Sequence, residues 1–73
     1  MTTIPAYFLS PQQQAVGRLL AQGCSDKQIT RALVIEPRIL QRHIEAILRK
    51  TDCNSRLQAA LVLHDIFTPI ATG

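Results

Sequence analysis

The chain has 73 residues, 47% of them hydrophobic but only 4% aromatic, with no tryptophan, two cysteines and a formal net charge of +3. That length allows one small domain, which buries only about 60% of its unfolded surface, so nearly every apolar side chain is needed in the core. A core of Leu, Ile, Val and Ala excludes a sheet of alternating aromatic and β-branched runs, and no segment is long enough to span a membrane. The basic balance is a mild pointer to an anionic partner. With no signal peptide at the start, the expected location is cytoplasmic.

Residues 1–9, MTTIPAYFL, have no period and read as a lead-in whose Tyr7, Phe8 and Leu9 can staple the first helix. Ser10, Pro11 and Gln13 cap a helix predicted over 11–22, with Val16, Leu19 and Leu20 on its core face and Gly23 ending it in a left-handed conformation. Ser25 with Gln28 three residues on is a second capping box, so a helix is predicted over 26–33 with Ile29, Ala32 and Leu33 as its apolar stripe. Glu36-Pro37 opens the third helix, over 37–51, because proline is tolerated at a first helical position. Asp52, Cys53 and Asn54 lead to a fourth helix over 55–67, which Thr68-Pro69 stops. The expected fold is all-α, a four-helix bundle containing a helix-turn-helix. Its domain occupies residues 10–67, followed by a tail at 68–73.

The third helix is the most informative. At 100° per residue, Leu40, Ile44, Ile47 and Leu48 share one apolar sector. Arg38, Arg42, Glu45 and Arg49 lie opposite, with Gln41 and Ala46 on the flanks. Arginine presents a planar fork that matches guanine edges or phosphate, and glutamine pairs with an adenine edge. Taken alone, such a stripe fits a solvated helix face equally well. The capped short helix and tight turn before it favour entry into a DNA major groove.

The fourth helix is apolar on most sides: Leu57, Ala59, Ala60, Leu61, Val62, Leu63, Ile66 and Phe67. A surface helix needs only one apolar face, so the surplus should meet another chain. Leu57, Leu61, Val62 and Ile66 are the expected dimer interface. The alternative is an exposed hydrophobic helix that limits solubility.

Other chemistry has little support. Cys24 and Cys53 with His43 and His64 lack the paired C-x-x-C and H-x-x-x-H turns that preorganise zinc, so the cysteines read as reduced, buried or half-buried thiols. The five acids are scattered, the three glycines are single, and Ser10 and Ser25 are accounted for as caps. No nucleophile–base–orienter set can be assembled, so no catalytic function and no cofactor are expected.

Several short motifs occur in one order. They are LSP at 9–11, LLAQG at 19–23, SDKQI at 25–29, LVIE at 33–36, LQRH at 40–43, ILRK at 47–50 and SRLQAA at 55–60. Together they resemble the LuxR/GerE-type helix-turn-helix effector domain of bacterial transcription factors over Leu9 to Ala60. The resemblance implies dimerisation through the last helix and binding to double-stranded DNA. The family commonly joins this domain to a receiver or small-molecule-binding domain, for which a chain starting at Met1 leaves no room. A stand-alone GerE-like regulator without a small-molecule ligand is therefore expected. The sequence departs from the family where acidic residues give way to Gln12, Gln13, Gln14 and Ala15. It departs again where a Thr–hydrophobe–Lys run gives way to Ile39, Leu40 and Gln41, and Glu45 stands where a neutral or basic residue suits DNA better. The expected base contacts are Gln41, Arg42 and Glu45, and the expected phosphate contacts are Lys27, Arg38, Arg49 and Lys50. The runner-up is an interaction module of weak DNA affinity that heterodimerises with a full-length LuxR-type regulator and modulates it.

Overall fold

Ser10 and Ser25 fix the start of the first two helices by the same reciprocal pair of hydrogen bonds. Gln13 N–H donates to Ser10 Oγ at 3.2 Å, and Ser10 N–H donates to Gln13 Oε1 at 3.0 Å. At the second site Gln28 N–H donates to Ser25 Oγ at 3.2 Å, and Ser25 N–H to Gln28 Oε1 at 2.8 Å. The computed structural model describes residues 9–67 and contains α1 (Pro11–Ala21), α2 (Asp26–Leu33), α3 (Pro37–Lys50) and α4 (Arg56–Phe67). No strand occurs among the described residues. The sequence placed every helix within one residue at each end. The remaining lead-in and the tail, including the Thr68-Pro69 stop and the Tyr7 and Phe8 staple, lie outside the described residues; Leu9 is buried.

A third cap went unread in the sequence. Gln58 N–H donates to Ser55 Oγ at 3.1 Å, while Gln58 Oε1 accepts from Asn54 N–H at 2.8 Å. The S-x-x-Q spacing of the first two caps thus recurs at the start of α4. The N-cap of α3 is Glu36, whose side chain makes no capping bond; Pro37 at the first position removes one donor that would otherwise need a partner.

Three helices end alike. After α1, Gly23 N–H and Cys24 N–H donate to Leu20 O and Leu19 O, both at 3.0 Å. After α3, Asp52 N–H donates to Arg49 O at 3.2 Å and Cys53 N–H to Leu48 O at 2.9 Å. After α2, Ile35 N–H donates to Thr30 O at 3.2 Å. Each is a Schellman-type end with one left-handed residue: Gly23 at φ 84°, Val34 at φ 53° and Asp52 at φ 56°. Glycine adopts that conformation freely and aspartate tolerates it, whereas a β-branched valine does so against steric resistance.

All four helices feed one core, made of Leu9, Val16, Leu20, Ile29, Leu40, Ile44, Ile47, Ala59 and Leu63. Ala32 is exposed, which corrects the stripe assigned to α2. This eight-residue helix meets the bundle along a single line through buried Ile29 and half-buried Leu33, one turn apart, and Ala32 falls beside that line. Helices α1 and α4 approach closely at Gly17, where an added Cβ would stand 3.1 Å from Phe67 Cε2 and 3.4 Å from Leu63 Cδ2. The Arg18 guanidinium then covers the Phe67 ring, 4.7 Å from its centroid. Among the described residues the one buried polar side chain, Thr51, is satisfied by donating to Ile47 O at 2.7 Å.

Candidate nucleic-acid interface

Helices α2 and α3 meet at the turn Val34–Glu36, and the burial of Leu40, Ile44 and Ile47 fixes which face of α3 turns outward. Arg38, Gln41, Arg42, Glu45 and Arg49 are all exposed on that face. Among the described residues, Arg38, Arg42, Glu45 and Arg49 form no ion pair with one another or with other side chains. Three guanidinium forks therefore stand in water within one helix face, uncommitted to any carboxylate. Glu45 sits among them as the single acid.

The remaining expected phosphate contacts fall at two other places. Lys27 is exposed in the first turn of α2. Lys50, at the last position of α3, donates from Nζ to Gln13 Oε1 at 2.8 Å and so links the end of α3 to the start of α1. Gln13 also serves the α1 cap, so one amide oxygen receives both hydrogen bonds. A carboxylate also enters at the start of α2. Asp26 opens that helix and is paired with Arg56, which places a negative charge beside the backbone N–H groups at the start of α2, near Lys27.

Arg56 has a structural part that the sequence did not show. Its Nη1 pairs with Asp26 Oδ1, and its Nη2 donates to Cys24 O at 2.9 Å. The first residue of α4 thereby clamps the loop that precedes α2. These contacts span 30 and 32 positions, and no local pattern announces them.

On α4, Ala59 and Leu63 are buried, and Ile66 and Phe67 pack against the core. Leu57 and Leu61 project outward, 73% and 64% exposed. Of the four residues expected at a dimer interface, these two form an exposed apolar strip one turn apart. Val62 is half-buried, and Ile66 is half-buried because its inner side covers the core. Leu57 also lines an open groove with Leu20, Gly23, Cys24, Arg56 and Ala60. Cys24 and Cys53 are free thiols, half-buried against the core. Among the described residues, no three His, Cys, Asp or Glu side chains gather as a metal site, and no helix is long and apolar enough to cross a membrane.

A capped short helix, a three-residue corner and a longer helix that turns a basic face outward, all braced by two further helices, define a helix-turn-helix DNA-binding domain. The model of the family "Bacterial regulatory proteins, luxR family" matches residues 7–63. The chain belongs to this family of helix-turn-helix transcription regulators. It is 34% identical over 56 residues to the nitrate/nitrite response regulator protein NarL of Escherichia coli (strain K12), covering 77% of this chain and 26% of NarL. It is 38% identical over 55 residues to the two-component response regulator PprB of Pseudomonas aeruginosa, covering 75% of this chain and 20% of PprB. The YhjB protein of Escherichia coli (strain K12) is 38% identical over 56 residues, which are 77% of this chain and 28% of YhjB. The chain thus spans about a quarter of the length of these three curated relatives. No solved structure matches it.

Proposed function

We propose that residues 10–67 act as a cytoplasmic, homodimeric, sequence-specific DNA-binding regulator of transcription, with α3 in the major groove. The observation that carries this reading is the set of uncommitted arginines on the outward face of α3. Gln41, Arg42 and Glu45 then read base edges: Arg42 a guanine, Gln41 an adenine, and Glu45 a cytosine amino group. Lys27, Arg38, Arg49 and Lys50 meet phosphates and set the register. The dimer forms through Leu57 and Leu61 of α4, with Val62 and Ile66 at its margin.

The test is selection of binding sites from random duplexes, followed by gel shift and sedimentation at micromolar concentration. The expected result is a two-fold-related site bound by a dimer. Four phosphate contacts per protomer predict that log affinity falls with log salt at a slope of about −7 for the dimer. Glu45, an acid on a face otherwise made of donors, favours a second reading in which DNA affinity is weak and α4 pairs with a full-length LuxR-type regulator. Failure to prefer any duplex over a random one at physiological salt, together with capture of such a regulator, would select that reading.

A further inference from the structure

The described residues expose four large hydrophobic side chains, and these divide into two groups. Leu57 and Leu61 form the apolar strip on α4. Val34 and Ile39 lie instead at the corner of the helix-turn-helix and in the first turn of α3. Val34 is exposed because it occupies the left-handed position of the turn, which directs its side chain away from both helices. Ile39 has no such reason. It is the third residue of a regular helix, it stands 36% exposed, and its neighbour Leu40 is fully buried. On the helix wheel Ile39 lies roughly 60° from Arg42, on the flank of the outward face opposite Gln41.

We propose that Ile39 reads a thymine by packing against its 5-methyl group, which makes it a specificity-determining residue; this rests on the DNA-binding reading above. The first turn of a recognition helix is the part that approaches base edges most closely. Along those edges the thymine methyl is the only apolar group in the major groove. An aliphatic side chain next to Arg38 in the chain and one turn from Arg42 therefore has one apolar partner within reach of a surface that is otherwise made for hydrogen bonds and phosphate. Isoleucine is branched at Cβ and holds nearly one rotamer in a helix, so little side-chain freedom is lost when the methyl contact forms. The charge around Ile39 argues for this occupant over a protein face, because Arg38 and Arg42 would both have to be desolvated or matched by acids.

The experiment uses the intact protein and a duplex taken from the selection described above. Each thymine is replaced in turn by uracil, which pairs identically and lacks only the methyl group. At one position per half-site, uracil is expected to weaken binding by the wild-type protein about fourfold, the value of one buried methyl-sized group. Ile39→Ala should lose affinity for the thymine duplex by a similar factor and bind the uracil duplex no worse, since the partner is already gone. The wild-type arm does not depend on how the variant folds. The inference is overturned if a site is selected yet no thymine-to-uracil change matters, or if such a change costs wild type and Ile39→Ala equally. Failure to select any site overturns the DNA-binding reading itself and this inference with it.

Discussion

Helices α3 and α4 are 14 and 12 residues long and belong to the same small bundle, yet they distribute apolar side chains in opposite ways. In α3 the buried residues Leu40, Ile44 and Ile47 lie on one side, and the other side is polar apart from Ile39. In α4 the buried Ala59 and Leu63 are matched by Leu57 and Leu61 facing water. A helix like α3 is thermodynamically complete within its own domain and presents charge to whatever approaches. A helix like α4 retains unburied apolar area, and burying it needs a second surface. Under the proposed function, one domain carries two recognition chemistries on adjacent helices: directional and salt-sensitive on α3, non-directional and area-driven on α4.

The sharpest way to break that contrast is to substitute two leucines of α4 that face opposite ways. Leu63→Ala should lower unfolding free energy by about 2–5 kcal/mol in a denaturant titration, because it opens a cavity in the core. Leu61→Glu should leave the helical circular dichroism intact and move the sedimenting species toward monomer. If Leu61→Glu unfolds the protein, α4 has no outer apolar face. On α3, Arg42→Ala is expected to cost about 1–3 kcal/mol of DNA binding and relax preference at one base. Arg49→Ala should weaken all duplexes alike and reduce the salt slope by about one. Equal effects from the two arginines would erase the distinction between reading and anchoring.

Smaller changes test the junctions. Arg56→Ala should destabilise the fold by about 1 kcal/mol or less, because its pair with Asp26 is half-exposed and screened by solvent. A thermal melt that does not move would reduce the clamp to a surface contact. Val34→Gly should raise stability by about half a kcal/mol: left-handed strain of about 1–2 kcal/mol is relieved, and most of the gain is returned to the more flexible unfolded chain. A drop in stability there would mean that the valine side chain has a contact worth keeping.

These junctions are also where the sequence was least legible. The caps at Ser10 and Ser25, the proline at 37 and the period of α3 are local signals, and local signals placed the helices. Ser55-x-x-Gln58 follows the same rule at the start of α4. The Arg56 clamp and the Lys50–Gln13 contact are different in kind, since each joins residues at least 30 positions apart that share no pattern. The outward face of α3 could be read because its inward face was unmistakable. The outward face of α4 was read only in part, because a helix apolar on most sides gives a weak phase: Leu57 and Leu61 do face out, but packing against the core half-buries Val62 and Ile66. Val34 was opaque for another reason: valine is not a residue that advertises a helix end.

The three helix ends share one geometry but differ in how willingly the chain adopts it, and this grades the bundle by local opening. Gly23 and Asp52 hold their turns at little conformational cost, while the turn at Val34 is maintained by the bond from Ile35 N–H to Thr30 O. In native-state hydrogen exchange the Ile35 amide should therefore exchange before those of Cys24 and Cys53, which occupy the equivalent positions after α1 and α3. The corner between α2 and α3 is then the first place to yield. If α3 enters the major groove as proposed, it is mounted on the softest of three similar joints, and breaking one hydrogen bond there would let its tilt adjust while the core beneath stays closed.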